Sequence, residues 1–177
     1  MPSALRSRLV LVGPPGAGKT TVGRLLAQRL EIGFRDTDTD IEAATGSSVS
    51  DLFVEHGEAY FRTLEREAVA VALAEHDGVL ALGGGAVLDP ATRAALRGHC
   101  VVHLDVSLAD AAARVGLNRD RPLLVGNVRS QLKALLDERR PLYEEVATVT
   151  VSTDSRDPAA VVADVIVLLD TDLREIS

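Results

Sequence analysis

The sequence predicts an α/β fold, a parallel sheet with helices on both sides. Three observations carry that expectation. Short apolar runs alternate with helix-period segments along the whole chain. The runs lack the polar and apolar alternation of a sheet wetted on one face, as expected for parallel strands covered on both. A glycine-rich loop ending in Lys-Thr stands at the first strand-to-helix junction.

Taken in order, Leu9–Val12 is a continuous apolar run, and residues 19–30 place Val22, Leu25, Leu26 and Leu30 on one side of a helix. A short second strand candidate ends at Asp36. Further strand candidates are Val79–Leu82, Val101–Leu104 and Val149–Val151. Helix starts are written between them: Asp89-Pro90 and Asp157-Pro158 each set an N-cap residue before a proline at the first helical position, and Ser107 can cap a helix over residues 108–115. The stretch from Gly116 to Val128 has no firm period and holds Gly116, Asn118, Pro122, Gly126 and Asn127 beside Arg119 and Arg121, which makes it a lid candidate. At 177 residues, with no low-complexity tract, the chain is expected to form one domain.

Composition removes several classes of function. With 46% hydrophobic and 25% charged residues the chain has an ordinary globular balance, so disorder is not expected. Its longest apolar stretches, such as Val165–Leu169, are about five residues against the roughly 20 of a membrane span. The net charge of −7 argues against a general grip on nucleic acid or anionic membrane, so any anionic ligand must be held by a local cluster of cations. A lone Cys100 and the absence of a secretory pattern over residues 1–8 fit a reducing, cytoplasmic setting.

Residues 13–20 read Gly-Pro-Pro-Gly-Ala-Gly-Lys-Thr, a match to G-x-x-x-x-G-K-[ST]. At ordinary residue usage this pattern arises by chance in about one chain in 200 of this length, and its place between a strand and a helix sharpens it. The backbone N–H groups from Gly16 through Ala17, Gly18, Lys19 and Thr20, with Thr21 following, can curl around phosphate oxygens at a helix N-terminus. Lys19 can reach the β- and γ-phosphates, and the Thr20 hydroxyl can ligate Mg²⁺.

Further along come Asp36-Thr37-Asp38, Phe61-Arg62 with Glu65 one turn on, Gly83-Gly84-Gly85, Arg121-Pro122-Leu123-Leu124, and Arg139 just before Arg140-Pro141-Leu142-Tyr143. This ordered set, spanning residues 9–166, closely resembles the shikimate kinase family. The resemblance implies a P-loop fold of the nucleoside-monophosphate-kinase type: five parallel strands, a substrate-binding helical region over about 36–74 and a lid over about 116–128. It also implies ATP-dependent phosphorylation of the 3-hydroxyl of shikimate, with Mg²⁺ as cofactor, on the way to chorismate and the aromatic amino acids.

Roles follow from the same resemblance. Asp36 is the metal-side acid and Asp38 the substrate-side one; two residues apart at an extended strand end, they would point the same way, although an acidic N-cap of a helix is the other reading. Arg62 and Arg139 match the arginines that hold the substrate carboxylate, with Glu65 orienting Arg62, and Gly83, Gly84 and Gly85 let backbone approach the substrate ring. Arg121 matches the lid arginine that closes over the phosphates, and Arg114 and Pro158 the adenine side. The expected partners are shikimate and ATP alone, the protein acting as a monomer.

Three rivals are weighed against this, one of them a catalytically dead binding module, which intact Lys19, Asp38 and Arg121 argue against. A gluconate-type kinase would share the phosphate loop but not the set of Arg62, Gly83–Gly85 and Arg139. A non-catalytic nucleotide-binding switch would, if of the guanine type, carry N-K-x-D and D-x-x-G, which are absent. Asp105 after Val101–Leu104 imitates a metal-binding strand end but is expected near a helix start. His99 and His103 would lie about 13 Å apart on a strand, too far to share an ion. His56 and His76 are expected to face solvent without partners.

Overall fold

The computed structural model describes residues 9–116 and 128–175. Five parallel strands form one sheet: β1 (Leu9–Val12), β2 (Phe34–Asp36), β3 (Val79–Ala81), β4 (Cys100–Asp105) and β5 (Val149–Ser152), in the order β2-β3-β1-β4-β5. Between them run α1 (Lys19–Leu30), α2 (Thr37–Thr45), α3 (Val49–His56), α4 (Glu58–Glu75), a 3-10 turn (Ala86–Leu88), α5 (Pro90–Ala95), α6 (Leu108–Gly116) and α7 (Val128–Val146), and α8 (Pro158–Glu175) follows β5.

Both faces of the sheet are apolar because both are covered. Leu9, Leu11, Val79, Val102 and Leu104 pack on one side with Val22 and Leu26 of α1 and Val165 and Leu169 of α8. The alternate residues Val10, Val12, Leu80 and Val101 pack on the other with Val69 and Leu73 of α4 and Tyr143 of α7. This two-sided burial explains why β1 and β3 read as unbroken apolar runs and β4 nearly so. A smaller cluster of Ile41, Leu52 and Phe61 joins α2, α3 and α4.

The caps form where the sequence places them. Asp89 accepts from the N–H groups of Ala91 and Thr92, Ser107 from that of Asp110, and Asp157 from that of Ala159. Several strand boundaries shift by one residue, β4 also starting at Cys100 and β5 running to Ser152. β3 stops at Ala81, and β4 runs on to Asp105 because it is paired along its length by β1 and then β5. Asp36-Thr37-Asp38 is not an extended strand end: Asp36 closes β2 and caps α2, so Asp38 lies in the first helical turn.

The strand order places the site. The chain leaves β1 toward β2 on one side and later returns to add β4 on the other, so a crevice opens at the carboxyl ends of neighbouring strands β1 and β3. Among the described residues, no helix is long and apolar enough to cross a membrane.

Leu26 is fully buried between α1 and the sheet. Leu26→Ala should lower stability by about 2–5 kcal/mol, read in urea as a lower midpoint with an unchanged slope. A change below about 1 kcal/mol would show that this face of the sheet is not closely packed.

Candidate active site

At the end of β1 the chain turns through Gly18, whose left-handed backbone (φ 86°) only glycine adopts without strain, straight into α1. No side chain caps this helix, which leaves its first N–H groups for an anion. Lys19 Nζ donates to the carbonyls of Gly13 at 2.7 Å and Pro14 at 3.0 Å. Burial lowers the Lys19 pKa to about 8, against the pull of Asp38 and Asp36. Thr20 Oγ1 donates to Asp36 Oδ2 at 3.0 Å, while Asp36 Oδ1 accepts the N–H of Asp38 at 2.9 Å. The helix cap, which the sequence offered as the other reading of Asp36, is present, and the same carboxylate also meets Thr20 of the phosphate loop. Ala17 packs in the core, and its N–H turns back to the Pro14 carbonyl at 3.2 Å, so it is less available to phosphate than its neighbours.

The loop belongs to a cleft of about 580 Å³ whose lining brings Gly16, Lys19, Thr20 and Thr21 together with Asp36, Asp38, Arg62, Glu65, Gly83–Gly85 and Arg139. That volume lies in the ordinary range of small-molecule sites. Glu65 is only 3% exposed and binds Arg62 Nη1 through Oε1 at 2.8 Å, so this pair is not the surface ion pair such spacing usually gives. Glu58 joins Arg62 from the preceding turn, and the guanidinium lies 5.6 and 5.5 Å from the ring centres of Phe53 and Phe61. Held on these sides, the fork has few other orientations.

The other Glu65 oxygen, Oε2, and Asp38 Oδ1 are buried without a hydrogen-bond partner, as is Arg139 Nε. Both carboxylate oxygens crowd Gly83, where a Cβ would come within 2.6 Å of Glu65 Oε2 and 2.7 Å of Asp38 Oδ1. A side chain at Gly85 would collide with the Arg62 guanidinium. These glycines are needed for close approach, the Gly83 N–H being held by the buried Thr37 hydroxyl at 3.2 Å. Burial, then the nearby charges of Asp36 and Glu65, raise the Asp38 pKa to about 6. Burial also raises Glu65, against the favourable charge of Arg62. Unpaired donors and acceptors at one cleft wall are the arrangement expected where a polar ligand completes the bonding.

Of the adenine-side candidates, neither Arg114 nor Pro158 lines this cleft. Arg114 instead ties the phosphate loop to the chain after β5, donating to the Gly16 carbonyl at 2.8 Å and the Thr153 carbonyl at 2.7 Å. Pro158 opens α8 as its sequence position requires. Arg121 lies outside the described residues, as does most of the lid candidate. Asp105 ends β4, two residues before the Ser107 cap of α6, and pairs with Arg140 at 3.4 Å. His56 and His76 do have partners: His56 meets Glu55 and the Tyr60 ring, and His76 Nε2 lies 3.1 Å from the Val79 carbonyl. The sequence motifs include Thr37, Phe61 and Tyr143 without giving them a role, and Phe53 and Glu58 are missed. Glu58 was the one with a readable signal, lying four residues before Arg62 on the same helix face.

Asp38 generates a stability prediction. Its pKa is raised on folding, so the folded state is favoured by protonation, and ionising this group costs stability as pH rises from about 4 through about 6. Asp38→Asn should therefore be more stable than the native chain at pH 8, on the order of 2 kcal/mol, with the gap closing near pH 4. Urea unfolding of both proteins across that range checks it; a variant less stable at pH 8 would mean that Asp38 is favourably paired.

Comparisons with known proteins bear on the same features. The shikimate kinase family model matches residues 15–170. A shikimate kinase from Frankia casuarinae is 64% identical over 150 residues, covering 85% of this chain and 67% of that protein. Another from Salinispora arenicola is 61% identical over 160 residues, covering 90% of this chain and 96% of the relative. The solved structure of shikimate kinase from Acinetobacter baumannii in complex with shikimate superposes with a TM-score of 0.89 at 37% identity, covering 94% of each chain. A gluconokinase from Sinorhizobium meliloti reaches a TM-score of 0.60 over 97% of this chain and 96% of its own, at 19% identity, a likeness of fold alone. With the family model spanning most of its length, the chain belongs to the shikimate kinase family.

Proposed function

We propose that the cleft holds ATP on the loop of residues 13–20 and shikimate between Asp38, Arg62, Arg139 and Gly83–Gly85, and transfers the γ-phosphoryl group to the 3-hydroxyl to give shikimate 3-phosphate and ADP. One observation carries this reading: a single cleft joins the phosphate loop to two arginines, with the unpaired Asp38 oxygen between them. The arginine forks suit a carboxylate bidentately, and Arg62 is braced by Glu58 and Glu65. Asp38 Oδ1 lacks a partner that a substrate hydroxyl would supply.

In the reaction the 3-hydroxyl oxygen bonds to the γ-phosphorus as the bond to the β-phosphate oxygen breaks. Asp38 orients the hydroxyl or takes its proton, and ADP leaves. Lys19 is held at the loop mouth by two carbonyls and balances charge on the phosphoryl group; Arg121 does the same from the lid. Positioning and charge balance account for catalysis here more than base strength does. Mg²⁺ is the fitting cofactor: Thr20 Oγ1 and Asp36 Oδ2 are hard oxygen donors 3.0 Å apart beside Lys19, and no group of three His, Cys, Asp or Glu able to hold a metal occurs among the described residues. An ion bound mainly by nucleotide phosphates and water needs only one or two such protein oxygens, Thr20 directly and Asp36 through water. When bound, it neutralises phosphate charge. Arg114 supports the loop from outside, and with Pro158 is assigned to the adenine side. The protein is proposed to act as a cytoplasmic monomer.

Coupled ADP release against shikimate, gluconate and nucleoside monophosphates tests the acceptor. Shikimate should be preferred, and its carboxamide analogue should lose about tenfold to a hundredfold in kcat/KM, because a charged hydrogen bond left without its partner costs roughly 1.5–3 kcal/mol. Arg62→Lys should lose a comparable factor, since an ammonium cannot reproduce the fork. Equal use of acid and amide by the native enzyme would remove the carboxylate clamp and restore a polyol acceptor.

The same assay should show kcat/KM rising with pH through about 6, as Asp38 ionises, and falling through about 8, as Lys19 loses its proton. An activity independent of pH between 5 and 7 would exclude an ionised Asp38 from the rate-determining complex.

A further inference from the structure

The Tyr143 side chain, 2% exposed, reaches from α7 to the glycine loop and donates its hydroxyl to the Gly84 carbonyl at 2.5 Å. That carbonyl is the one the loop does not satisfy for itself. The neighbouring Gly83 and Gly85 carbonyls accept from the N–H groups of Ala86 and Leu88 in the following 3-10 turn. Gly84 is also pressed against the phosphate loop, where a Cβ would come within 3.0 Å of Pro15 Cδ. One phenol thus fixes the backbone on which Gly83 meets Asp38 and Glu65, and Gly85 meets Arg62.

Tyr143 is itself held in two ways. Its ring stacks on His103 of β4, with centroids 5.1 Å apart and planes 29° apart, and His103 is 1% exposed. Arg139, one helical turn earlier on α7, lies beside the phenol. Burial raises the phenol pKa to about 12, so it remains a donor throughout the working pH range.

We infer that Tyr143 is a positioning residue for the acceptor. Its hydroxyl couples α7, which carries Arg139, to the glycine loop, so that both walls of the acceptor end are set by one contact. The inference rests on the proposed acceptor site and adds to it a residue that touches neither substrate. A phenol that sets only the acceptor end affects shikimate and leaves ATP alone.

Tyr143→Phe keeps the ring and its stack on His103 and removes only the hydroxyl. The KM for shikimate should rise about tenfold, as expected for one buried carbonyl left unpaired, with the KM for ATP within about twofold and kcat lowered less than about threefold. His103→Leu leaves the hydroxyl but removes the stack, and should raise the shikimate KM about threefold with the same selectivity; a buried leucine there keeps the fold testable if Tyr143→Phe misfolds. A lower Tm with unchanged shikimate KM in either folded variant would assign Tyr143 to structure alone and overturn the proposal. Equal rises in both KM values would overturn it too. Since native turnover of shikimate is the reference in the same assay, an error in the acceptor appears as an inactive native protein and overturns both readings, whereas an active native protein with an unaffected variant overturns only this one.

Discussion

Parallel pairing of β3 with both β1 and β2 is the constraint from which the site follows. It aligns three carboxyl ends on one edge of the sheet, so the loop after β1, Asp36 at the end of β2 and the glycines after β3 must all face one crevice. The central strands β1, β3 and β4 are short and buried on both faces, each alternate side chain being fitted to a different helix layer, so their register cannot slip without disrupting the core. The scaffold's stability therefore fixes where the chemistry can be.

Inside the crevice the energetics run the other way. Asp38 and Glu65 are buried close to one another, each with an oxygen lacking a partner, and Arg139 has a buried nitrogen in the same state. Burial disfavours the charges of Asp38, Glu65 and Lys19 alike, and the opposite charges nearby only partly compensate. This local cost is carried by a core in which apolar side chains of the strands pack against α1 and α8 on one face and against α4 on the other. It leaves donors and acceptors already aimed where a polar anionic acceptor and a phosphate chain can complete them. In a chain of net charge −7, fixed cations such as these are what an anionic ligand of this cleft requires.

Glycine has two distinct uses in this cleft. At Gly18 it permits a left-handed turn into α1, a requirement of the backbone itself. At Gly83 and Gly85 the requirement is space, because two carboxylate oxygens and a guanidinium occupy the volume a side chain would need. The first can be read from a local motif. The second depends on α2 and α4 being folded across the strand end.

The sequence by itself determined the phosphate loop, the alternation of strands and helices, the helix caps and the pairing of Arg62 with Glu65. Each of these depends on neighbours within a few residues or on a period that local chain geometry imposes. The tertiary structure decided what long-range contacts decide. Asp36, expected at an extended strand end, caps α2 while receiving Thr20 from sixteen residues away. His56 and His76 have partners that the sequence did not indicate, and Arg114 bonds a carbonyl 98 residues distant. Thr37 and Tyr143 secure Gly83 and Gly84 from 46 and 59 residues away. No local pattern marks such residues, because a hydroxyl becomes a specific donor or acceptor only once burial removes water as its alternative partner and the folded sheet supplies the group across from it.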